Sequence, residues 1–304
     1  MNRPRSAGRS PNRLRIATRR SPLAMWQAEY VADRLRAAHD DLEVEFVSMD
    51  TTADQRLDIA ISELGGKGAF SKEVQQLVLA DHADIAVHSA KDLQAVTPEG
   101  LVLGAFPVRG EVRDCLVGCR LEDLAEGAIV ATGSNRRRVQ LASLRPDLEF
   151  RGLRGNIATR LGQLDQFAAM VMATTALERL GTEPAVVDVL DPDVMIPQVG
   201  QGALAVECRS DDPATIELLA TIDDAAVRAT VSAERDFLVE LGGDCTMPAG
   251  ANAWFDDHGA LRLRALLASA DEQVVERIEL GPDDHDDRWS IGTTAAKQLR
   301  ARVS

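Results

Sequence analysis

The chain has 304 residues, 45% hydrophobic and 27% charged, enough for two or three globular domains with real cores. Its 48 acids against 34 Lys and Arg leave a net charge of −14, which argues against nonspecific nucleic-acid binding. No apolar run has the length of a membrane span, and the four cysteines, Cys115, Cys119, Cys208 and Cys245, predict a soluble, cytoplasmic, disulfide-free protein.

The first 20 residues hold seven arginines and no acid, a composition that imitates an organelle transit peptide. A short disordered tail over residues 1–12, or a start codon placed too early, is the simpler reading and the one expected. Short apolar runs then alternate with helical ones. Strands are predicted at "LRIAT", "LEVEFVSM", "DIAVHS", "LVLGAF", "AIVAT", "LEFRGL", "AAMVMAT" and "ALAVEC", and helices over 22–37, 70–80, 134–144, 155–166 and 213–220. The pattern is α/β, with a largely parallel sheet in each of two units. Near Asp223 it changes to one long helix, three successive strands and a last helix near 290–302. That tail reads as a small α+β domain, and Cys245 lies in the loop that opens it, "ELGGDCTMPAG". Cys115 and Cys119 lack zinc-site spacing and read as core or strand-end residues.

Four basic turns carry the chemistry. In "ATRRSPLA", Ser21 and Pro22 form a helix start with Arg19 just upstream. "ELGGKGAFSKE" presents Lys67 between glycines and matches neither the Walker nor the Rossmann spacing. "ATGSNRRRVQL" puts Arg136, Arg137 and Arg138 in the first turn of a helix, where cations oppose the dipole at a cost of roughly 0.3 to 1 kcal/mol each. An anion held by free N–H groups, Thr132, Ser134 and the guanidinium forks would offset that cost. "LRGNIATRL" adds Arg154 and Arg160 at another glycine-led helix start. Such turns gather at the carboxyl ends of strands, where open α/β sheets bind ligands. A substrate with several carboxylates or phosphates is expected there. "ADIAVHSAKDLQ" delivers His88, Ser89, Lys91 and Asp92 to the same edge. Asp92 is either a turn cap or a carboxylate that stabilises a cation and moves a proton. A lone carboxylate among cations is not a metal site, and none is expected.

As a set, "RIATRRSPLAMWQA", "GGKGAFSKE", "DIAVHSAKDL", "RRRVQL", "RPDLEFRGLRGNIATRL", "VGQGALAVECR" and "SAERDFLVELGGDCTMPAG" closely resemble the hydroxymethylbilane synthase (porphobilinogen deaminase) family. The resemblance spans about residues 14–250 in the family's order. It implies three domains, the first two similar to two-lobed periplasmic binding proteins, the third a small α+β domain carrying the cofactor cysteine. The boundaries it suggests are 13–108 with 198–222 for a discontinuous first domain, 109–197 for the second and 223–304 for the third. It implies a dipyrromethane cofactor joined to Cys245 by a thioether and made by the protein from its own substrate or product. Four porphobilinogen units would be joined head to tail on it with loss of ammonia, and hydroxymethylbilane released by hydrolysis. Asp92 falls on the family's catalytic aspartate. Lys91, Arg136, Arg137, Thr132 and Ser134 fall on its cofactor contacts, and Arg19, Ser21, Lys67, Arg154 and Arg160 on its substrate contacts. A cytoplasmic monomer without membrane or nucleic-acid partners is expected.

The sequence departs from the family pattern at Gln94, Ala90, Gly133, Asn135, Ala53, Thr175 and Ala176, and its last domain ends early. None of these removes an ionisable catalytic group. Two other readings compete: a two-lobed anion-binding module, and a degenerate synthase without turnover.

Overall fold

The computed structural model describes residues 12–51, 71–242, 248–284 and 290–303. Ala53, Lys67, Cys245 and the basic stretch before Asn12 lie outside the described residues. Three sheets organise what is described.

The first sheet begins with β1 (Arg13–Arg19), β2 (Glu43–Met49), β3 (Ile85–Ser89) and β4 (Leu101–Ala105). The chain then crosses to a second sheet of β5 (Asp114–Val117), β6 (Ile129–Ala131), β7 (Glu149–Arg151), β8 (Ala169–Ala173) and β9 (Val187–Val189), in the order β7-β6-β8-β5-β9. It returns as β10 (Leu204–Arg209), which completes the first sheet in the order β2-β1-β3-β10-β4.

The largely parallel sheets that the pattern predicts are present, four strands of each running one way, but a single reversed strand makes both sheets mixed. β1 runs parallel to β2 and β3, but β10 is antiparallel to β3 and β4. Likewise β6 is parallel to β7 and β8, whereas β5 is antiparallel to β8 and β9. The reason lies in the crossings. β10 enters opposite the end of β3, Leu204 against Ser89, and β5 enters opposite the end of β8, Asp114 against Ala173. A strand arriving at the carboxyl edge of its neighbours must run back against them. Both crossings therefore sit at the edge where the basic turns gather.

Helices cover the sheets and are set by local caps. Ser21 accepts from Ala24 N at 3.4 Å and Pro22 opens α1 (Pro22–Ala38). α2 (Lys72–Leu79) packs on the first sheet, and Ser134 caps α3 (Asn135–Leu144). The helix predicted over 155–166 divides into α4 (Ile157–Leu161) and a 3-10 turn at Leu164–Gln166, because Gly162 ends the first turn. α5 (Thr174–Arg179), α6 (Pro213–Ala220) and α7 (Ala225–Glu240) follow, the last capped by Asp224, which accepts from Ala226 N at 2.9 Å and Val227 N at 3.0 Å.

The third unit is an antiparallel sheet of β11 (Ala249–Phe255), β12 (Leu261–Ala268) and β13 (Val275–Leu280), packed against α7 and α8 (Ile291–Val303). Each unit has its own core: Ile16, Leu35 and Val206 in the first, Leu116, Leu141 and Val171 in the second, Phe237, Leu263 and Leu299 in the third. Cys115 and Cys208 are buried and Cys119 partly so, and burial pushes the first two thiols up to about 11. No helix among the described residues is long and apolar enough to cross a membrane.

Candidate active site

The first half of the site is built where β3 runs out into a 3-10 turn, Ala90–Asp92. Arg19 from the end of β1, Ser21 and Gln27 from the start of α1, and His88, Ser89 and Asp92 line one cavity. Asp92 is the only acid on its described lining. Gln27 Nε2 donates to Ser89 Oγ at 2.8 Å and fixes that wall. His88 is buried, its Nε2 lying 3.1 Å from Glu207 Oε2 without the alignment of a hydrogen bond; Gln75 Nε2 donates to the same carboxylate oxygen at 2.8 Å.

The second half is the turn between β6 and α3. Thr132 Oγ1 accepts from Ser134 N at 3.2 Å, and Ser134 Oγ accepts from Arg137 N at 3.5 Å, so both hydroxyls shape the turn. The two arginines do not wait for a ligand to supply their anion. Asp114, wholly buried at the start of β5, accepts from Arg136 NH2 at 2.7 Å and from Arg137 Nε and NH2 at 3.1 and 2.7 Å. Arg136 also donates to Ile196 O, and Arg137 to Val171 O at 3.1 Å. Burial alone would raise the Asp114 carboxyl, but the two guanidinium groups hold it well below the usual carboxylate range. The dipole cost that pointed to a bound anion is met by a residue 22 positions earlier in the chain.

Arg160 donates Nε to Gly155 O at 2.8 Å. Burial first, then Arg137 and Arg154, push it down to about 10, while Asp92 opposes them. Cations of the second sheet and the carboxylate of the first thus share one electrostatic field. Lys67 and Cys245 are not among the described residues, but the ends of the Cys245 loop are: Gly242 closes α7 with φ of +86°, and β11 begins at Ala249. A Cβ on Gly250 would stand 3.0 Å from Arg136 Cδ, so the chain leaving that loop rests on the arginine turn.

The return segment before β10 crosses between the halves, and its glycines are there for space. Gly200 has φ of +73°, and a Cβ on it would stand 3.0 Å from Lys91 N. Gly202 has φ of +81°, and a Cβ would stand 2.5 Å from Gly110 O. Lys91 keeps some contact with solvent as a residue, but burial of its ammonium, then Arg137, push it down to about 8.

Several partners escaped the sequence reading. Asp114 opens an apolar run and gives no local sign of its two arginines. Gln27 lies inside a helix, and Gln201 inside a glycine motif read only as a whole. Arg179 donates NH2 to Gly202 O at 2.6 Å and sits 5.3 Å over the Trp26 ring, beside a cavity of about 290 Å³ between α1 and α5. Its basic position in "LERLG" was the one available signal.

The donor set fits carboxylates. Among the described residues, Arg136 Nε is a buried donor without a hydrogen-bond partner and Lys91 Nζ has one acceptor. No group of three or more His, Cys, Asp and Glu among the described residues is arranged for a metal.

Three units of sheet and helix, with a chain that crosses twice between the first two, define the class of protein. Comparison with known proteins gives that class its family. The model of the porphobilinogen deaminase dipyromethane cofactor binding domain matches residues 14–217, and that of the porphobilinogen deaminase C-terminal domain matches 228–301. A porphobilinogen deaminase of Halalkalibacterium halodurans is 43% identical over 291 residues, 93% of this chain and 92% of that protein. The chain belongs to the porphobilinogen deaminase family.

Solved structures of other proteins are more distant. The methionine binding protein MetQ is 12% identical, with 74% of this chain and 96% of that one covered at a TM-score of 0.41. YhfZ from Shigella flexneri is 18% identical, covering 77% and 99% at 0.39. These likenesses are too slight to carry an argument.

Proposed function

We propose that the chain carries out its family's reaction, joining four porphobilinogen units head to tail into hydroxymethylbilane with loss of ammonia. Dipyrromethane, held by a thioether to Cys245, supplies the pyrrole carbon on which the chain grows. The observation that carries the reading is the place of Asp92 at the end of β3, on the lining of one cavity with Arg19 and Ser21, from where its charge also acts on Arg160 of the second sheet. Each porphobilinogen brings an acetate and a propionate, and guanidinium forks suit both. In this reading Arg19, Ser21, Arg154, Arg160 and Lys67 bind the incoming unit. Lys91, Arg136, Arg137, Thr132 and Ser134 hold the cofactor. Asp92 protonates the leaving amine, faces the cation left behind and takes up the α proton as the ring regains aromaticity.

The protein is read as a monomer by default, and as cytoplasmic, since the free thiols Cys115 and Cys208 suit a reducing compartment. The test is intact mass. The purified protein is expected to exceed its sequence mass by two pyrrole units, to give color with acid Ehrlich's reagent, and to gain single pyrrole units with porphobilinogen. Cys245→Ser should abolish the first increment and turnover. An active preparation at the unmodified mass would remove Cys245 from the site. Pyrrole color without extension would mark a degenerate synthase, and no color an anion-binding module.

A further inference from the structure

Between the two halves of the site lies Gln201, wholly buried on the return segment. Its amide oxygen accepts from Lys91 Nζ at 3.2 Å. Its amide nitrogen donates to Val112 O at 2.7 Å and to Asp114 Oδ1 at 3.0 Å. Its backbone oxygen accepts from Arg109 Nε at 3.0 Å, and neighbouring Gln198 donates Nε2 to Lys91 O at 3.1 Å. The amide can point only one way. Turned over, it would set NH2 against the ammonium and its oxygen against a carboxylate and a carbonyl. One oriented dipole therefore joins the catalytic turn of the first sheet to the carboxylate that grips both arginines of the second.

We infer that Gln201 is a positioning residue for chain extension: it holds the Lys91 ammonium beside Asp92 and ties that placement to Asp114, and through it to Arg136 and Arg137. The inference rests on the proposed reaction. Among the described residues, the groups acting on the ammonium are Asp92 on its own turn, Asp114 on β5, Arg136 and Arg137 on α3, and Gln201. Two are anionic, two cationic, and Gln201 makes the single hydrogen bond to Nζ among the described residues. The other two ammonium protons find no acceptor among the described residues and suit a ligand carboxylate. The arrangement has a functional consequence. A pyrrole carboxylate that settles on Arg136 or Arg137 competes with Asp114, and any shift of Asp114 moves the amide that holds Lys91. Occupation of the second half is thereby transmitted to the charge beside Asp92 in the first.

The experiment uses the holoprotein, with cofactor content checked by intact mass, and two near-isosteric variants. Gln201→Met removes both ends of the dipole; Gln201→Glu gives Lys91 an anion and sets a second carboxylate against Asp114. Lys91 titration is followed by ¹⁵N signals of labelled lysine side chains, assigned with Lys91→Arg. Addition of pyrrole units is followed by mass against pH. In the wild type, extension should fall as pH rises through about 8, where Lys91 loses its proton. In the Glu variant the titration and the alkaline limb should move up together by about one unit or more, and in the Met variant they should move down together. The Met variant should also extend roughly ten- to a hundredfold more slowly, as expected for a lost hydrogen bond to a charged group. With Lys91→Arg, changes at Gln201 should no longer move the limb.

A Lys91 titration indifferent to both substitutions would overturn the inference, and so would a titration that moves while the extension profile stays put. Failure of the wild-type holoprotein to extend at all would instead overturn the proposed reaction. The ¹⁵N titration reads the contact between Gln201 and Lys91 in either case.

Discussion

The guanidinium of Arg109 and the carboxylate of Glu234 form a two-pronged ion pair, NH1 to Oε1 at 2.8 Å and NH2 to Oε2 at 3.0 Å. Glu234 is wholly buried and also accepts from Gly200 N at 2.7 Å and Ala253 N at 2.8 Å. One side chain of α7 thus grips both crossing segments and the first strand of the third sheet. Glu234→Gln keeps the shape but leaves Arg109 without its anion, and should destabilise by about 3 to 5 kcal/mol in urea unfolding. Arg109→Met with Glu234→Met should cost less than the sum of the single changes. An unshifted urea midpoint in Glu234→Gln would show that the pair holds nothing together.

Asp92→Asn keeps size and most hydrogen bonds but loses the charge and the exchangeable acid. Folding and carboxylate binding should survive, while each addition slows by roughly 10²- to 10⁴-fold. Asp92→Glu should retain more activity. With cofactor in place, the Asn variant should stall at an early rung of the ladder of covalent additions read by intact mass. Climbing at the wild-type rate would reduce Asp92 to a turn cap.

For Arg136 and Arg137 the buried Asp114 alters the expected outcome. The helix dipole alone predicts that replacing either by Leu hurts activity far more than folding. With Asp114 between them, each loss strips a buried carboxylate of one partner, and stability should fall toward the lower end of about 3 to 5 kcal/mol, since the other guanidinium remains. The pH dependence follows from the depressed Asp114 pKa. A carboxyl held lower in the fold than in the unfolded chain adds stability that is present above about pH 4 and lost as pH falls through its folded value. Asp114→Asn should therefore be less stable near neutrality and flatten the loss of stability below about pH 4. Equal acid slopes for the two proteins would contradict this.

Gly292 in α8 lies against α7 so closely that a Cβ would stand 1.9 Å from Ala233 O and 2.8 Å from Phe237 N. Alanine would improve helix propensity by about 1 kcal/mol. Overpacking a closed helix contact costs about 1 to 3 kcal/mol or more, and here the obstacle is backbone. Gly292→Ala should lower the urea midpoint. A raised midpoint would mean that the helices separate freely.

The sequence by itself determined the local pieces. Ser21 with Pro22 marks a helix start because a cap is a hydrogen bond spanning two or three residues, and the predicted helices at 22–37, 134–144 and 213–220 agree with the structure to within a residue. The motifs, taken together, determined the family. Tertiary structure decided what the charged residues do to one another. Gln75 reaches Glu207 across 132 positions, Arg109 reaches Glu234 across 125, and Gln201 reaches Lys91 across 110. No period or cap encodes such pairs, because they form only when strands enter a sheet from the far side. The same crossings make both sheets mixed and bury Asp114 beneath Arg136 and Arg137. An arginine pair that reads as an open anion site along the chain becomes, once β5 is in place, a site that already holds one anion of its own.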